Sequence, residues 1–281
     1  MNIRTLEKEY IQSLNHFYDT DEAKSIFNVA IISVLKITKS EALTGKDKEL
    51  LIKDSNKLAK VLDELKTGKP IQQVLGETTF YGLPFKINEH VLIPRPETEE
   101  LVDWIIKEVK NKKESLLDIG TGSGCIPIAL KKHLHHLDIS SIDISAEALK
   151  IAAENAKLNK VDINLIEADI LNYSSGEKYD VIVSNPPYIR ELEKAEMHEN
   201  VLAHEPHTAL FVSDENPLVF YNAIADFAFN NLNPNGYLFF EINEYLCSET
   251  LDILIDKRFK NIELKKDIQG KDRMIMARTN P

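Results

Sequence analysis

The sequence predicts an α/β fold in which a mostly parallel sheet of seven strands follows a small N-terminal helical bundle and a β-hairpin. From Ser115 onward, short apolar runs alternate with amphipathic helical patterns, which is typical of a parallel sheet with helices on both faces. Up to about residue 77 the apolar side chains recur at helical spacing instead. We therefore expect a helical domain over 1–77, a hairpin connector over 78–96 and an α/β domain over 97–281.

The elements ahead of the α/β domain follow from local signals. Four or five helices are expected in 1–77, where the apolar side chains keep a helical period. Apolar runs at 80–87 and 90–93, with a polar turn at Asn88-Glu89 between them, predict the hairpin. Pro96 and the acids behind it then open a helix, because proline suits the first turn and acids favour the positive end of the helix dipole.

In the α/β domain, the alternation of apolar runs and amphipathic patterns predicts the strands and helices. Apolar runs place seven strands, at 115–119, 138–142, 163–167, 179–184, 236–242, 260–266 and 273–278. Amphipathic patterns place four helices between them, at 124–134, 146–159, 217–231 and 245–256. The last two strands are joined by a short connection, and a crossover between parallel strands needs about a dozen residues or more. This last pair is therefore expected to be antiparallel.

Charge and composition limit the function classes. The net charge of −11 falls entirely on 78–281, because 1–77 carries equal numbers of basic and acidic side chains. An acidic domain repels phosphate backbones, which argues against DNA or RNA as the substrate without excluding a local basic patch. No apolar run is long enough to span a membrane, and the start of the chain lacks a signal core. We expect a cytoplasmic protein without a membrane partner, and a monomer.

The sequence predicts no metal site. Cys125 and Cys247 lie far apart, and we interpret them as packing residues rather than as zinc ligands or a disulfide. His133, His135 and His136 resemble a metal cluster, but they lack the i, i+4 spacing that brings two helical side chains onto one ion. These histidines are therefore expected to form a solvated helix end.

The residues Asn185-Pro186-Pro187-Tyr188 are the most informative candidate site. They follow an apolar run that is typical of a buried strand, and two prolines must stop it because each lacks an N–H and fixes φ. Such a turn holds an amide and an aromatic ring at the carboxyl end of a strand, where open α/β sheets bind ligands. We expect the Asn185 oxygen and the Pro186 carbonyl to accept from an –NH2 group, with Tyr188 flat against its plane. A flipped base and a side-chain amide both fit this clamp.

A glycine-rich loop, Gly120-Thr121-Gly122-Ser123-Gly124, joins the first strand of the α/β domain to its helix. Its glycines let the backbone turn sharply and approach a ligand closely. Asp143 follows the next strand and suits the two hydroxyls of a ribose, while Asp169 and Ile170 follow the third strand and suit a purine. A dinucleotide fold has a related pattern, but its glycines are spaced Gly-x-Gly-x-x-Gly. An amino acid that carries a nucleoside therefore fits better here.

Further motifs accompany these two. They are Gly68-Lys-Pro-Ile71 with Gly76, Phe80-Tyr-Gly82, Leu92-Ile-Pro-Arg-Pro-Glu-Thr-Glu99, Asp118-Ile-Gly120, Glu205-Pro206 with Ala209-Leu210, and Gly270-Lys-Asp-Arg273. Together the motifs resemble the class I methyltransferases that use S-adenosylmethionine, and among them the bacterial release factor glutamine methyltransferases. The resemblance covers nearly the whole chain. Adenine and guanine N-methyltransferases share the Asn-Pro-Pro-Tyr motif, so the Leu92–Glu99 segment together with the helical domain is the discriminating combination.

The resemblance implies a class I methyltransferase (Rossmann-like) fold and S-adenosyl-L-methionine as the cofactor, with S-adenosyl-L-homocysteine as its product. It implies that 120–124 wraps the methionine part, that Asp143 holds the ribose, and that Asp169 and Ile170 flank the adenine. It also implies that Asn185–Tyr188 holds the glutamine in the Gly-Gly-Gln loop of class 1 peptide chain release factors, with Asn185 next to the cofactor as well. The helical domain is then the part that recognises this substrate.

Two rival functions stay open at this point. One is a nucleic-acid base N-methyltransferase that applies the same clamp to an exocyclic amine. The other, from a different class, is a non-catalytic scaffold that senses the cofactor and binds translation factors. The acidic α/β domain argues against the first, and the intact motifs argue against the second.

Two departures from the family pattern and one acidic segment bear on the site. Family members often carry glycines where this chain has 211–217, and a glycine where it has Asn243. Both differences are expected to reshape a loop near the site. Four glutamates follow the clamp, and they form either a solvated helix face or an acidic rim that attracts a basic partner. They are Glu191, Glu193, Glu196 and Glu199.

Overall fold

The computed structural model describes residues 1–109 and 115–280, and the chain divides into two compact units. A helical unit comprises 1–77 together with 198–204, and an α/β unit comprises the rest of the described chain. None of the helices in the described ranges combines the length and the apolar character that a membrane span needs.

The helical unit begins with five helices within 1–77, all of which is described. They are α1 Ile3–Leu14, α2 Thr20–Leu35, α3 Lys39–Thr44, α4 Ile52–Leu65 and α5 Ile71–Leu75. Asn2, Asp19 and Thr38 cap the first three helices by accepting hydrogen bonds from backbone N–H groups of the first turn. The apolar faces enclose one core, in which the rings of Tyr10 and Phe27 meet edge to face at 5.1 Å. The predicted bundle of four or five helices is confirmed.

The connector holds a β-hairpin, but its strands lie earlier in the chain than predicted. They are β1 Glu77–Phe80 and β2 Leu83–Lys86, which pair around a two-residue turn at Tyr81-Gly82. Both turn residues have positive φ, 49° at Tyr81, as a tight hairpin turn of type I′ requires. The predicted turn at Asn88-Glu89 was wrong, because asparagine favours turns whereas an aromatic residue rarely takes positive φ.

The strands that follow are β3 Ser115–Ile119, β4 Asp138–Asp143, β5 Asn164–Glu167, β6 Tyr179–Ser184, β7 Ile189–Arg190, β8 Phe211–Val212, β9 Leu232–Glu241, β10 Lys260–Lys266 and β11 Asp272–Arg278. Seven of these form one sheet in the order β10-β11-β9-β6-β3-β4-β5, and β7 pairs with β8. All neighbours in the sheet are parallel except at β11, which runs antiparallel to β9 and β10. The mostly parallel α/β sheet with an antiparallel last strand is confirmed.

The remaining helices are α6 Pro96–Glu108, α7 Cys125–His133, α8 Ala146–Asn159, α9 Glu199–His204, α10 His207–Leu210, α11 Val219–Asn231 and α12 Cys247–Asp256, with 3-10 turns at Glu191–Glu196 and Glu244–Leu246. The four helices predicted after the first strand are confirmed, with ends that differ by at most two residues. Helices α6, α7 and α8 cover one face of the sheet, and α11 and α12 cover the other. Helix α9 belongs to the helical unit, where Asn200 donates to the Tyr18 hydroxyl at 2.7 Å.

The order of the strands reverses next to β3. Strands β4 and β5 lie on one side of β3, whereas β6, which comes later in the chain, lies on the other. The loops that follow β3 and β6 therefore diverge, and open α/β sheets bind ligands in the crevice at such a point. The Ser184 hydroxyl at the end of β6 donates to the Ile119 carbonyl at 2.7 Å and holds the two strand ends together.

Candidate active site

A cavity of about 380 Å³ lies at the crevice beside β3 and β6. This volume is within the range of roughly 300–1,000 Å³ that is usual for small-molecule sites. The loops after β3, β4, β5 and β6 bring eight of the predicted site residues to its wall: Gly120, Gly122, Asp143, Asp169, Ile170, Asn185, Pro186 and Pro187. Residues that lie far apart in the sequence thus meet at one place because their strands are neighbours.

The glycine loop has one side towards the cavity and one towards the protein. Gly122 has a φ of 53°, and a Cβ built on it would meet open space. Gly124 has a φ of 78°, and its Cβ would lie 3.0 Å from Ile128 Cδ1 and 3.2 Å from the Ala152 Cβ. Gly122 therefore leaves room in the cavity, whereas Gly124 lets α7 approach α8. Thr121 and Ser123 alternate with the three glycines of this loop, and both are buried.

A buried carboxyl group immediately precedes the glycine loop. Asp118 is 0% exposed, and neither carboxylate oxygen has a hydrogen-bond partner among the described residues. Burial raises the pKa of Asp118 to about 7, and the charge of Asp143 adds to the rise.

Two further acids lie on the cavity wall, after β4 and β5. Asp143 accepts hydrogen bonds from the backbone N–H groups of Gly122 at 2.8 Å and Ser145 at 2.9 Å, so it ties the glycine loop to β4. Burial raises the pKa of Asp143, and these backbone donors oppose the rise. Asp169 accepts from the backbone N–H of Leu171 at 3.0 Å. Each carboxylate oxygen has two lone pairs, so both acids keep acceptor sites for a ligand.

Asn185 lies directly after β6 and beside the glycine loop. Its backbone oxygen is 4.0 Å from the position that a Cβ on Gly120 would take. Its Nδ2 atom donates to Thr98 Oγ1 at 3.3 Å, and Thr98 Oγ1 donates to Glu241 Oε2 at 2.7 Å. No donor among the described residues reaches Asn185 Oδ1. Asn185 lines the cavity, so its side chain lies within reach of a ligand there.

Tyr188 lies behind the loop rather than on the cavity wall. Its hydroxyl donates to Glu241 Oε1 at 3.2 Å, and its ring packs at the edge of the core that contains α11 and α12. Burial raises the pKa of this hydroxyl, and the charge of Glu241 raises it further. The expected position, with the ring flat against a ligand in the cavity, is not the one observed. Tyr188 instead anchors the loop after β6 to Glu241 at the end of β9.

An ion pair between a half-buried arginine and a buried glutamate fixes the segment that enters α6. Arg95 Nη2 lies 2.6 Å from Glu205 Oε1, and the Glu205 side chain is 1% exposed. The other Glu205 oxygen accepts from the backbone N–H of Ile93 at 3.1 Å. These contacts hold the start of α6, and Thr98 lies in the first turn of that helix. The Leu92–Glu99 motif thus places a side chain beside Asn185.

Both departures from the family pattern lie at the site. Phe211 lines the cavity and begins β8. The Asn243 Nδ2 atom donates to the Tyr188 carbonyl at 2.9 Å and to the two Glu193 carboxylate oxygens at 3.1 and 3.2 Å. Asn243 therefore ties the loop after β6 to the loop after β9, which a glycine has no side chain to do.

Of the two interpretations of the acidic segment, a solvated helix face and an acidic rim, neither holds for Glu193. This side chain is buried, and it pairs with Arg190 as well as with Asn243. Glu191 is exposed but pairs with Lys194. The two remaining positions have side chains outside the described residues: Glu196 and Glu199. The Glu193 carboxylate turns inward because Arg190 and Asn243 donate hydrogen bonds to it.

Sequence reasoning gave no role to Thr98, Glu241 or Asp118. A charged residue at the end of an apolar strand is the signal that finds Glu241, since such a group must be buried with a partner. Thr98 stood inside the quoted Leu92–Glu99 motif, and Asp118 opened the glycine motif. Their partners come from distant parts of the chain, so spacing in the sequence does not reveal them.

Curated relatives share nearly the whole chain. The release factor glutamine methyltransferase of Flavobacterium psychrophilum is 48% identical, over 98% of this chain and 98% of its own. That of Bacteroides thetaiotaomicron is 40% identical, over 95% of this chain and 96% of its own. The chain belongs to the release factor glutamine methyltransferase family. It is an S-adenosylmethionine-dependent methyltransferase.

Two further comparisons agree with this family. A family model described as the methyltransferase small domain matches residues 98–212, which contain the glycine loop, both cavity acids and the Asn185 clamp. The crystal structure of a methyltransferase from Pyrococcus furiosus is similar with a TM-score of 0.53 at 17% identity, covering 81% of this chain and 100% of that chain. At such an identity the likeness bears on the fold alone, and the class I methyltransferase fold is confirmed.

The cavity has the chemistry that a release factor glutamine methyltransferase needs for S-adenosylmethionine. That molecule carries an ammonium group, a ribose with two hydroxyls, and an adenine. The free acceptor sites of Asp143 and Asp169, which both line the cavity, complement the hydroxyl and amine donors of this molecule. Gly122 leaves the space that such a ligand needs next to the backbone.

Proposed function

We propose that this enzyme transfers the methyl group of S-adenosyl-L-methionine to the side-chain amide nitrogen, N5, of the glutamine in the Gly-Gly-Gln motif of class 1 peptide chain release factors. The observation that carries the proposal is that Asn185 lines the cavity while no donor among the described residues reaches its side-chain oxygen. The names of near-full-length relatives support release factors as the partner. Such a modification would tune translation termination, which places the enzyme in the cytoplasm.

The clamp addresses the weakness of an amide as a nucleophile, since its nitrogen lone pair is delocalised into the carbonyl. Asn185 Oδ1 accepts one N–H of the substrate amide, and the Pro186 carbonyl accepts the other. Two acceptors leave one face of the nitrogen open to the cavity and favour the positive charge that develops on it. Alignment supplies most of the rate, because effective molarities of oriented groups are on the order of 10⁵ M or more. No general base is needed, since the methylated amide readily loses its proton.

We assign the cofactor to the cavity wall. The backbone of 120–124 would hold the methionine part. The side chains of Thr121 and Ser123 are buried and would keep this loop in place. Asp143 would accept from the ribose hydroxyls, and Asp169 with Ile170 would flank the adenine. When bound, S-adenosyl-L-methionine supplies the methyl group, and S-adenosyl-L-homocysteine is its product.

We assign the recognition of the release factor to the helical domain, 1–77. In the sequence this domain is followed by the hairpin connector, 78–96, and by the catalytic domain, 97–281. The helical domain has its own core and no net charge, and it adds surface rather than chemistry. We take the enzyme to act as a monomer. Tyr188 serves the substrate clamp through the loop that it anchors.

A nucleic-acid base N-methyltransferase is the alternative that shares the clamp chemistry. The whole net charge of −11 falls on the part of the chain that contains the cavity, and this charge opposes a phosphate backbone. A competition assay separates the two functions. Enzyme and radiolabelled cofactor are incubated with a release factor, single-stranded and double-stranded DNA, and RNA at equal concentration.

We expect label in the release factor alone. A release factor whose motif reads Gly-Gly-Glu serves as the matched control and is expected to stay unlabelled, because it lacks the amide nitrogen. Label in a nucleic acid, or in the Gly-Gly-Glu protein, would contradict the proposed substrate.

A further inference from the structure

A series of three hydrogen bonds, buried at Thr98 and Glu241, ends at the side chain of Asn185. Asn185 Nδ2 donates to Thr98 Oγ1 at 3.3 Å, and Thr98 Oγ1 donates to Glu241 Oε2 at 2.7 Å. The other Glu241 oxygen accepts from the Tyr188 hydroxyl at 3.2 Å. Thr98 and Glu241 are each 2% exposed, so solvent does not compete for these groups.

Which group donates in each of these hydrogen bonds follows from the number of protons that each group carries. Burial raises the pKa of Glu241, and the Thr98 hydroxyl and the charge of Arg273 oppose that rise. Glu241 accepts at both oxygens, from Thr98 at Oε2 and from Tyr188 at Oε1, as an ionised carboxylate does. Thr98 therefore donates its single hydroxyl proton to Glu241. Thr98 then offers Asn185 nothing but lone pairs. Asn185 therefore turns its –NH2 group towards Thr98 and donates to it, which leaves its side-chain oxygen for the cavity.

Three elements of the fold hold these groups in place. Thr98 lies in the first turn of α6, where its backbone N–H donates to the Arg95 carbonyl at 3.1 Å. Glu241 ends β9, which pairs with β6 on one side and β11 on the other. Asn185 follows β6 directly. Sites built on helices and strands keep their geometry more tightly than sites on loops.

We propose that Thr98 and Glu241 are positioning residues that hold the Asn185 amide with its oxygen towards the substrate nitrogen. The inference rests on the proposed function, in which that oxygen accepts from an –NH2 group. If the terminal amide of Asn185 were rotated by about 180° about its Cβ–Cγ bond, its own –NH2 group would face the –NH2 group of the substrate. Two donors would then face each other, and the substrate amide would lose its alignment.

The test uses Thr98→Val and Thr98→Ser in the full-length enzyme. Valine keeps the shape of threonine without the hydroxyl, whereas serine keeps the hydroxyl. Thr250→Val is the matched control, since Thr250 is 0% exposed and its hydroxyl donates to the Leu246 carbonyl at 2.8 Å in α12. Each variant is measured for kcat and KM with a release factor, for affinity towards S-adenosyl-L-homocysteine, and for its midpoint of urea unfolding.

We expect Thr98→Val to lower kcat about tenfold or more, as the loss of one well-placed hydrogen bond does, with the affinity for S-adenosyl-L-homocysteine nearly unchanged. Thr98→Ser should restore kcat. Thr250→Val should lose stability as Thr98→Val does but keep its kcat. Equal kcat values for Thr98→Val and Thr250→Val, or a Thr98→Ser variant as slow as Thr98→Val, would overturn the inference.

A second measurement needs no substrate. Hydrogen exchange of the Asn185 Nδ2 protons, followed by NMR with S-adenosyl-L-homocysteine present, reports whether Thr98 still holds the amide. Exchange should be faster in Thr98→Val and unchanged in Thr98→Ser and Thr250→Val. Unchanged exchange in Thr98→Val would overturn the inference. A wild-type enzyme that does not methylate the release factor would contradict the proposed function instead, and the exchange measurement would still decide the role of Thr98.

Discussion

Asn185 carries a donor and an acceptor on one small side chain, and only the acceptor serves the proposed reaction. Its donor is used by Thr98, which leaves the acceptor for the cavity. Alanine at this position removes the acceptor without touching the glycine loop. We expect Asn185→Ala to lower kcat by about 10²-fold or more, the usual effect of removing one group that stabilises a developing charge. Calorimetry should show nearly unchanged affinity for S-adenosyl-L-homocysteine, and retained turnover would refute the clamp.

Asp118 makes the stability of the ligand-free protein depend on pH. Burial raises the pKa of Asp118 from 3.8 to about 7, so the folded state binds this proton more tightly than the unfolded chain. The contribution to stability is full below about pH 4 and is lost as the pH rises towards about 7, by up to roughly 1.4 kcal/mol per pH unit.

Asp118→Asn should remove that pH dependence, because asparagine does not titrate. We expect the free energy of unfolding of Asp118→Asn, relative to the wild type, to be higher at about pH 8 than at about pH 5. Urea unfolding without ligand at the two pH values measures this double difference. Parallel pH profiles for the two proteins would show that the carboxyl does not titrate as described.

Gly122 and Gly124 look alike in the sequence but should respond differently to alanine. At Gly124 the added Cβ would lie 3.0 Å from Ile128 and 3.2 Å from Ala152, so Gly124→Ala should lower the melting temperature. At Gly122 the Cβ meets only open space on the cavity wall. Gly122→Ala should therefore weaken S-adenosyl-L-homocysteine binding about tenfold or more, as one misplaced methyl group does in a close-fitting site. The reverse ranking of the two effects would contradict this division of roles.

At the scale of elements, Asn155 of α8 joins the hairpin to the glycine loop. Its side chain donates to the carbonyls of Lys86 and Ser123, both at 2.9 Å, and accepts from the Lys86 N–H at 2.7 Å. Asn155→Ala leaves the buried Ser123 carbonyl and the half-buried backbone groups of Lys86 without this partner, so we expect the free energy of unfolding to fall by about 3 kcal/mol. Asn230→Ala removes an exposed bond to a helix carbonyl and should cost under about 0.5 kcal/mol in the same urea titration. Similar losses would refute the bridging role.

Elements were predictable where a repeating pattern decides them. The strands and helices after Ser115 follow from apolar periodicity, and the antiparallel β11 follows from its short connection to β10. The hairpin turn was placed wrongly because Tyr81 takes a positive φ that its residue type disfavours. Strands β7 and β8 have two residues each, which is too short for any period to show.

At the scale of the whole molecule, the fold explains how much of the site a sequence discloses. Residues that end neighbouring parallel strands meet at the cavity, so Asp143, Asp169 and Asn185 could be predicted from their places after strands. Thr98 and Glu241 could not, because their contact spans 143 residues and depends on how α6 docks beside β9. Glu193 shows the same limit, since its inward turn depends on Asn243.

Glutamine methylation by this enzyme is tested by tandem mass spectrometry of a class 1 release factor incubated with the enzyme and S-adenosyl-L-methionine. We expect the Gly-Gly-Gln peptide to gain the mass of one methyl group, fragmentation to place it on the glutamine side chain, and Asn185→Ala to produce no gain. A methyl group found on another residue, or an unmodified Gly-Gly-Gln peptide after prolonged incubation with the active enzyme, would contradict this expectation.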